Sequence, residues 1–181
     1  MAKVGIIFFS GSGTTAKFAQ AVEAGAQAAD AECFIHRIEG GEIDGGRWAN
    51  EAVVAELDAC DAIIFGTPTY MGGVSAQLKA FFDGVVPHWY TQSWNGKLAA
   101  AFTASAKISG DKFNCLVDIM TFAMQMGMVW VGTGSGPSLE LNPHGYYIGV
   151  GASAMNEDDC KPEDLAAATD LGRRVATLAA G

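Results

Sequence analysis

The sequence predicts one α/β domain over residues 1–181, an open and doubly wound parallel sheet with helices on both faces. Three observations predict this fold. The 181 residues are about the length of one domain. Half of them are hydrophobic, which is enough for a sizeable core. Short apolar runs also alternate along the chain with segments of helical spacing, and strict alternation requires right-handed crossovers between parallel strands.

The strands are predicted from apolar runs. Residues 4–9, 62–65, 98–102 and 128–131 are apolar on both alternations, as in central strands that are covered on both faces. Residues 31–38 contain the polar His36 and Arg37 and are predicted to form an edge strand. Residues 146–152 have strand character, and we expect them to continue the last strand after the irregular stretch 133–144.

The helices are predicted from apolar residues that recur at intervals of three and four. These residues are Phe18, Ala19, Val22 and Ala26 in the first segment, Leu78, Phe81, Phe82 and Val85 in the second, and Phe113, Val117 and Met120 in the third. Ser75 is placed to cap the second of these helices. A last helix is predicted to begin at Pro162 and to carry Arg173 and Arg174 near its end, where they complement the macrodipole. Its predicted buried face comprises Leu165, Ala168, Gly172 and Val175.

Charge and cysteine content limit the classes of function. Twenty acidic residues against eleven basic ones give a net charge of −9, which argues against nucleic acid or an anionic membrane as a partner. The apolar run before the first glycine-rich loop is too short for a signal peptide, and no run approaches a membrane span. The four cysteines form no CxxC pair and indicate reduced thiols, with no metal site. We therefore expect a cytoplasmic protein without membrane insertion.

The first loop follows the first predicted strand, at the edge of the sheet where ligands bind in this class of fold. Its sequence, Ser-Gly-Ser-Gly-Thr-Thr-Ala at residues 10–16, formally matches the dinucleotide motif GxGxxA through Gly11, Gly13 and Ala16. That motif also requires an acidic residue at the end of the second strand, and this strand ends in His-Arg-Ile. The match to a dinucleotide site is therefore weak.

A mononucleotide site uses these residues better. Four hydroxyl groups and the backbone N–H groups at a helix N-terminus can surround a terminal phosphate without a lysine or a metal. The predicted phosphate ligands are Ser10, Ser12, Gly13, Thr14 and Thr15. The chain has no GxxxxGK[ST] motif, so a nucleoside triphosphatase is not expected. The alternative is an ordinary strand-to-helix turn.

Two further loops follow predicted strands and would flank this phosphate. The second loop, residues 66–73, is stiffened by a proline and offers the flat ring of Tyr70. The third loop, residues 103–110, places small side chains around one cation. A phosphate cradle beside two such loops suits a flat heterocycle on a phosphorylated chain, which describes FMN. The predicted contacts are Thr67, Pro68, Thr69, Tyr70, Met71, Gly72 and Gly73 in the second loop, and Thr103, Ala104, Ser105, Ala106, Lys107 and Gly110 in the third.

At these residues the chain resembles the flavodoxin-like superfamily, and more closely the WrbA-type NAD(P)H:quinone oxidoreductases. The resemblance rests on the first loop, on Asp-Ala-Ile-Ile-Phe-Gly-Thr-Pro-Thr at residues 61–69, and on shorter matches at residues 96–99, 127–129 and 151–152. It implies a five-stranded sheet of order 2-1-3-4-5 and FMN as cofactor. It also implies NADH or NADPH as electron donor, a quinone or similar acceptor, and a homodimer or homotetramer.

The chain also departs from the family pattern. The family's second loop usually continues Thr-Pro-Thr-Arg-Phe-Gly-Asn, whereas Tyr-Met-Gly-Gly follows Thr69 here. Trp89 falls where the family has a tryptophan that helps to close the site. Gln125 and Met126 stand where it commonly has a histidine pair, one member of which lines the substrate cavity. The resemblance thus assigns Trp89 and Met126 to the substrate pocket.

Two functional hypotheses follow. The first is an FMN-dependent oxidoreductase in which NAD(P)H and a quinone use the same pocket in turn, by a ping-pong mechanism. The second is a flavodoxin-type carrier that delivers single electrons to a basic partner protein. Carrier flavodoxins generally hold the ring between aromatic side chains of both loops, and the third loop has none, so the first hypothesis is favoured.

No catalytic side chain is expected, because the chemistry resides on the flavin. Lys107 is a candidate for tuning it, because a nearby ammonium would favour the negatively charged reduced flavin. The alternative is a solvated lysine.

Overall fold

The computed structural model describes residues 1–136 and 140–181. The strands of this part of the chain are β1 (Lys3–Phe8), β2 (Glu32–Arg37), β3 (Ile43–Asp44), β4 (Arg47–Trp48), β5 (Ala62–Tyr70), β6 (Gly73–Val74), β7 (Leu98–Ser105), β8 (Val129–Trp130) and β9 (Val150–Ser153). The α-helices are α1 (Thr14–Gln27), α2 (Glu51–Asp58), α3 (Ala76–Gly84), α4 (Val86–Thr91), α5 (Lys112–Gln125) and α6 (Pro162–Ala179). Two 3₁₀ segments cover Gly40–Glu42 and Glu157–Asp159.

The main sheet has the predicted doubly wound order. Strands β2, β1, β5 and β7 lie side by side and are parallel. The fifth position is shared, because β8 pairs with the first half of β7 and β9 with its second half. Counted along the chain, the five positions follow the order 2-1-3-4-5, which confirms the predicted fold class. The predicted return of the last strand is confirmed for Val150–Ser153.

Helices cover both faces of this sheet, as predicted. Because side chains alternate along a strand, Val4 and Ile6 of β1 point toward α1 and α6, whereas Ile7 points toward α2, α3 and α5. The first core also contains Phe18, Val22, Leu171 and Val175. The second also contains Val53, Leu57, Leu78, Phe81, Phe82, Leu116 and Ile119.

The predicted positions of the helices are confirmed, but two details of α6 and α5 are wrong. Ser75 caps α3, since its Oγ accepts a hydrogen bond from Leu78 N at 3.3 Å, and α6 begins at Pro162. Helix α6 runs on to Ala179, so Arg173 and Arg174 lie before its last turn, and the prediction that they complement its macrodipole is wrong. The predicted face of α5 is also wrong, because Phe113 is exposed. The buried residues of α5 are Lys112, Cys115, Leu116, Ile119 and Ala123.

Two strands extend farther than predicted, which changes where the site loops begin. The pairing of β5 with β7 continues past Phe65 to the pairs Thr67–Thr103 and Pro68–Ala104. The first halves of the predicted second and third loops are therefore strand, and only residues 71–72 and 106–111 leave the sheet. Among the described residues, no helix has both the length and the apolar character needed to cross a membrane.

Candidate functional site

Three loops meet at the carboxyl edge of the central strands. They follow β1, β5 and β7, which are neighbours in the sheet. Phe9 N donates to Gly66 O at 3.0 Å and so ties the start of the first loop to β5. Asn114 Nδ2 donates to Gly72 O at 2.9 Å and ties the tip of the second loop to α5. The topology thus brings all three predicted loops together.

The first loop leads into the N-terminus of α1. Gly13 is the N-cap of α1 and has a φ of 89°, a left-handed conformation that favours glycine. Ser10 Oγ accepts a hydrogen bond from Ala16 N at 3.2 Å, and Arg37 Nη2 donates to Ser10 O at 2.6 Å. The first N–H groups of a helix have no acceptor within the helix and lie at the positive end of its dipole. Residues 10–16 therefore fit a phosphate although they contain no lysine or arginine.

The hydroxyls of this loop divide into two kinds. Ser12 is exposed, and its Oγ lies 3.4 Å from Thr14 Oγ1, so these two groups lie together at the start of α1. Ser10, Thr14 and Thr15 are buried, and Ser10 accepts the hydrogen bond from Ala16 N in the first turn of α1. The hydroxyl of Ser10 keeps a proton to donate. The role of all four side chains as phosphate ligands stays a prediction.

Two neighbours flank the loop. A Cβ built on Gly11 would lie 2.3 Å from Tyr70 Oη, and a Cβ built on Gly13 would lie 2.8 Å from Glu157 Oε2. Any larger residue at either glycine would therefore displace a side chain that borders the loop. Tyr70 bridges from the second loop to the first, and Glu157 places a carboxylate against the helix N-terminus. Lys17 Nζ donates to Glu157 O at 2.9 Å and holds the segment there.

The second loop is a tight hairpin. Tyr70 pairs with Gly73, and the two residues of the turn, Met71 and Gly72, have φ values of 49° and 81°. Positive φ at both positions is the signature of a type I′ turn. Met71 is fully exposed at its tip, and the ring of Tyr70 is half-exposed. The structure therefore presents Tyr70 as the flat, accessible face that the sequence predicts.

The threonines of the second and third loops form a buried hydrogen-bond network between β5 and β7. Thr69 Oγ1 and Thr103 Oγ1 lie 2.7 Å apart, and Thr103 Oγ1 donates to Thr67 O at 2.7 Å. Thr67 Oγ1 donates to Ser75 Oγ at 3.0 Å. The hydroxyls of Thr67 and Thr103 thus bind other groups of the protein, and they hold the ends of β5 and β7 together beneath the two loops. Ala104 is buried beside them.

The third loop surrounds a buried lysine that the sequence analysis missed. Lys112, at the start of α5, is 0% exposed. Its Nζ lies 2.6 Å from Lys107 O, 2.9 Å from Ile108 O, and 3.1 Å from both Ser105 Oγ and Ser153 Oγ. Burial lowers the pKa of Lys112 to about 8. Lys107, the predicted cation, is exposed, and it is its backbone carbonyl that enters this network.

The sequence did contain one signal for Lys112. A lysine in the first turn of a helix faces the positive end of the macrodipole, which is unfavourable without compensation. This observation does not tell which way the side chain points.

A second layer lies behind this lysine. Asp164 is buried, lies 3.0 Å from His144 Nε2 through its Oδ1, and accepts a hydrogen bond from Ser153 N at 3.2 Å. The ring of Tyr146 stacks on His144, and its hydroxyl donates to Ser109 O at 3.3 Å. The third loop is therefore held from β9 and α6 as well as from α5.

A groove opens beside the second hairpin. It measures about 850 Å³ and runs between α3 and α4 on one side and α5 on the other. Trp89 and Met126 both line it, together with Gly73 and Val74 of the hairpin. Trp89 is partly exposed, whereas Met126 is buried. The structure thus brings the two predicted substrate residues into one groove, and their contact with a substrate stays a prediction.

Comparison with known proteins gives a consistent result. The family described as NADPH-dependent FMN reductase matches residues 3–136. The chain is 33% identical over 193 residues to the NAD(P)H dehydrogenase (quinone) of Archaeoglobus fulgidus, over 99% of this chain and 98% of the relative. It is 38% identical over 168 residues to flavodoxin FldP of Pseudomonas aeruginosa, over 89% of this chain and 86% of the relative. The crystal structure of a WrbA-like flavodoxin from Agrobacterium tumefaciens superposes with a TM-score of 0.82 at 36% identity, over 99% and 98% of the two chains.

Proposed function

The chain belongs to the NADPH-dependent FMN reductase family, and we propose that it uses FMN to pass electrons from NADH or NADPH to a quinone or a similar small acceptor. The resemblance to WrbA-type proteins is confirmed by the same comparisons. One observation carries the proposal. A hydroxyl-rich helix N-terminus that contains no lysine or arginine of its own, with Arg37 of β2 on its Ser10 carbonyl, meets Tyr70 of the second loop and a third loop that has no aromatic side chain.

The residues of the site fit FMN. The start of α1, with Ser12 and Thr14 at its mouth, would hold the phosphate. Tyr70 would flank the ring from the second loop, and the backbone of residues 103–107 would border it from the other side. When bound, FMN takes up a hydride equivalent from the nicotinamide and passes the electrons on, so no side-chain nucleophile is required.

The third loop determines whether the electron donor and the acceptor can bind at the same time. Its residues 103–110 offer no aromatic ring, so one face of the flavin would stay open for a second flat molecule. The donor and the acceptor would then occupy the same space and exclude each other. We therefore propose ping-pong kinetics, in which the oxidised nicotinamide leaves before the quinone enters.

The groove beside the hairpin is the proposed entry for the acceptor. It adjoins Gly73, and Trp89 and Phe122 give it an apolar wall. A quinone is flat and largely apolar, which suits such a surface. The name of the Archaeoglobus fulgidus relative, NAD(P)H dehydrogenase (quinone), supports this choice of acceptor.

The second candidate function is single-electron transport to a redox partner. The name of the Pseudomonas aeruginosa relative, flavodoxin FldP, and the net charge of −9 favour it. A carrier would be reduced by a partner reductase and would respond slowly or not at all to free NADH and NADPH.

We also propose a homodimer or a homotetramer. Trp89, Tyr90 and Met124 are exposed on α4 and α5 beside the groove, and exposed aromatic clusters of this kind mark interfaces. Sedimentation velocity measures the assembly directly.

The function is tested with purified protein loaded with FMN. Initial rates are measured with NADH or NADPH against a water-soluble benzoquinone, with Ser12→Glu as the matched control that should not hold FMN. Parallel lines in double-reciprocal plots are expected. Intersecting lines would show that both substrates bind together, and tight binding of FAD in place of FMN would contradict the assignment of the first loop.

A further inference from the structure

We infer that Lys112 is a positioning residue of the third loop, whose buried ammonium group fixes the backbone of Lys107 and Ile108 against the site. The inference rests on the proposed function only in the statement that a flavin contacts this loop. The ordering of the loop itself is a property of the protein alone.

The contacts of Lys112 show why it acts on the loop. Two of its four oxygen neighbours are the backbone carbonyls of Lys107 and Ile108, five and four residues earlier in the chain. A third is Ser105 Oγ at the end of β7. The ammonium thus sits inside the turn between β7 and α5, and the loop wraps around it.

The fourth neighbour joins the loop to a different strand. Ser153 Oγ, on β9, lies 3.1 Å from Lys112 Nζ and donates to Lys107 O at 3.2 Å. Ser105 Oγ of β7 also donates to Lys107 O at 3.0 Å, so this carbonyl accepts hydrogen bonds from three separate elements. With Tyr146 Oη on Ser109 O, three consecutive carbonyls of the loop are bound by groups outside it.

Burying a lysine at this position is unfavourable in free energy, which argues against a role in packing alone. Removing an ammonium group from water is unfavourable unless it is well hydrogen-bonded. The start of a helix adds the positive end of the dipole. A methionine would fill similar space without either penalty. Four oxygen neighbours and the carboxylate of Asp164 offset the penalty here.

Lys112 also differs from Lys107 in what its charge can do. The ammonium of Lys112 is fixed and shielded from solvent, so its field is weakly screened. The side chain of Lys107 is exposed, where water and salt screen it strongly. If a flavin lies on this loop, the fixed charge behind the loop is the stronger influence on its reduced, negatively charged form.

The test compares Lys112→Met with the exposed control Lys161→Met. Limited trypsin digestion of the flavin-free proteins is followed by mass spectrometry, and the rate of cleavage after Lys107 is measured. The inference predicts cleavage there roughly tenfold faster or more in Lys112→Met, with no change in Lys161→Met. Unchanged cleavage in a folded Lys112→Met would overturn it. Because no flavin is present, this result stands apart from the proposed function.

A second variant covers the case in which Lys112→Met does not fold. Ser153→Ala removes one partner of Lys112 and one donor to Lys107 O, and should speed trypsin cleavage after Lys107 to a smaller extent. Unchanged cleavage in this variant would contradict the network. In FMN-loaded protein, Lys112→Met should lower the midpoint potential of the flavin by roughly 30 mV, a tenfold change for a two-electron couple. An unchanged potential would remove the electrostatic part of the inference.

Discussion

The first and third loops lie at the same edge of one sheet and are held by opposite means. The first loop is held mainly by its own residues, through the hydrogen bond from Ala16 N to Ser10 Oγ and the left-handed Gly13. The third loop is held from a distance, by Lys112 of the next helix and by Ser153, some fifty residues along the chain. The first loop is thus a local motif, and the third is a product of the tertiary fold.

The largest expected effect tests the local motif. Ser12→Glu should weaken FMN binding by about a thousandfold or more, because a carboxylate would take the loop's donors and repel the phosphate. Isothermal titration calorimetry with FMN measures the change, and circular dichroism checks the fold. Ser12→Gln, which has the same size without the charge, should lose much less. Equal affinity in Ser12→Glu and the unmodified protein would place the phosphate elsewhere.

The second effect tests the support of the third loop by Lys112, through the pH dependence of the free energy of unfolding. Burial lowers the pKa of Lys112 from 10.5 to about 8, so between these values the unfolded chain binds more protons and the free energy of unfolding rises with pH. At about 1.4 kcal/mol per pKa unit, the rise is at most about 3.5 kcal/mol. It should vanish in Lys112→Met, as measured by urea unfolding between pH 7.5 and pH 10.5.

The cysteines act in the other direction over part of this range. Burial raises the pKa values of Cys33 and Cys60 to about 11, so they lower the free energy of unfolding as the pH rises above about 9. They are present in both proteins, so the difference between the two curves isolates Lys112. Curves that run parallel over the whole range would contradict the buried charge.

The third effect concerns Lys107, which was chosen from the sequence as the tuning cation. If its ammonium stabilises the reduced flavin, Lys107→Ala lowers the midpoint potential by roughly 30 mV, which corresponds to about 1.4 kcal/mol. FMN affinity should change little, because the first loop holds the phosphate. A much smaller shift, measured by potentiometric titration, would leave Lys107 in solvent and sharpen the contrast with Lys112.

The smallest effect tests the carboxylate that borders the first loop. Glu157 lies against Gly13, where its charge opposes that of a phosphate. Glu157→Gln should tighten FMN binding several-fold at low salt and less at high salt, because Glu157 is exposed and screened. Asp30→Asn, at the opposite edge of the sheet, makes the same change in net charge and should have no effect. Equal gains in both variants would show that only the overall charge matters.

The difference between local and distant contacts also explains what could be predicted from the sequence. The alternation of strands and helices, the helix positions, the cap at Ser75 and the first loop were accessible, because each depends on residues close together in the chain. The order of the strands came instead from the resemblance to the flavodoxin-like superfamily. The extension of β5 to Tyr70 was not, because Gly66, Thr67 and Pro68 are common in turns and become strand here only through pairing with β7. The inward orientation of the Lys112 side chain could not be predicted either, since it depends on oxygens supplied by another strand and by the loop itself.

The central claim is that reduced nicotinamide gives its electrons directly to FMN held by these loops. The most direct test is the anaerobic addition of one equivalent of NADH, and separately of NADPH, to FMN-loaded protein while the visible absorbance of the flavin is followed. We expect at least one of the two to bleach the flavin band without any other protein. If the band persists with both while a partner reductase bleaches it, the chain is an electron carrier and the claim is wrong.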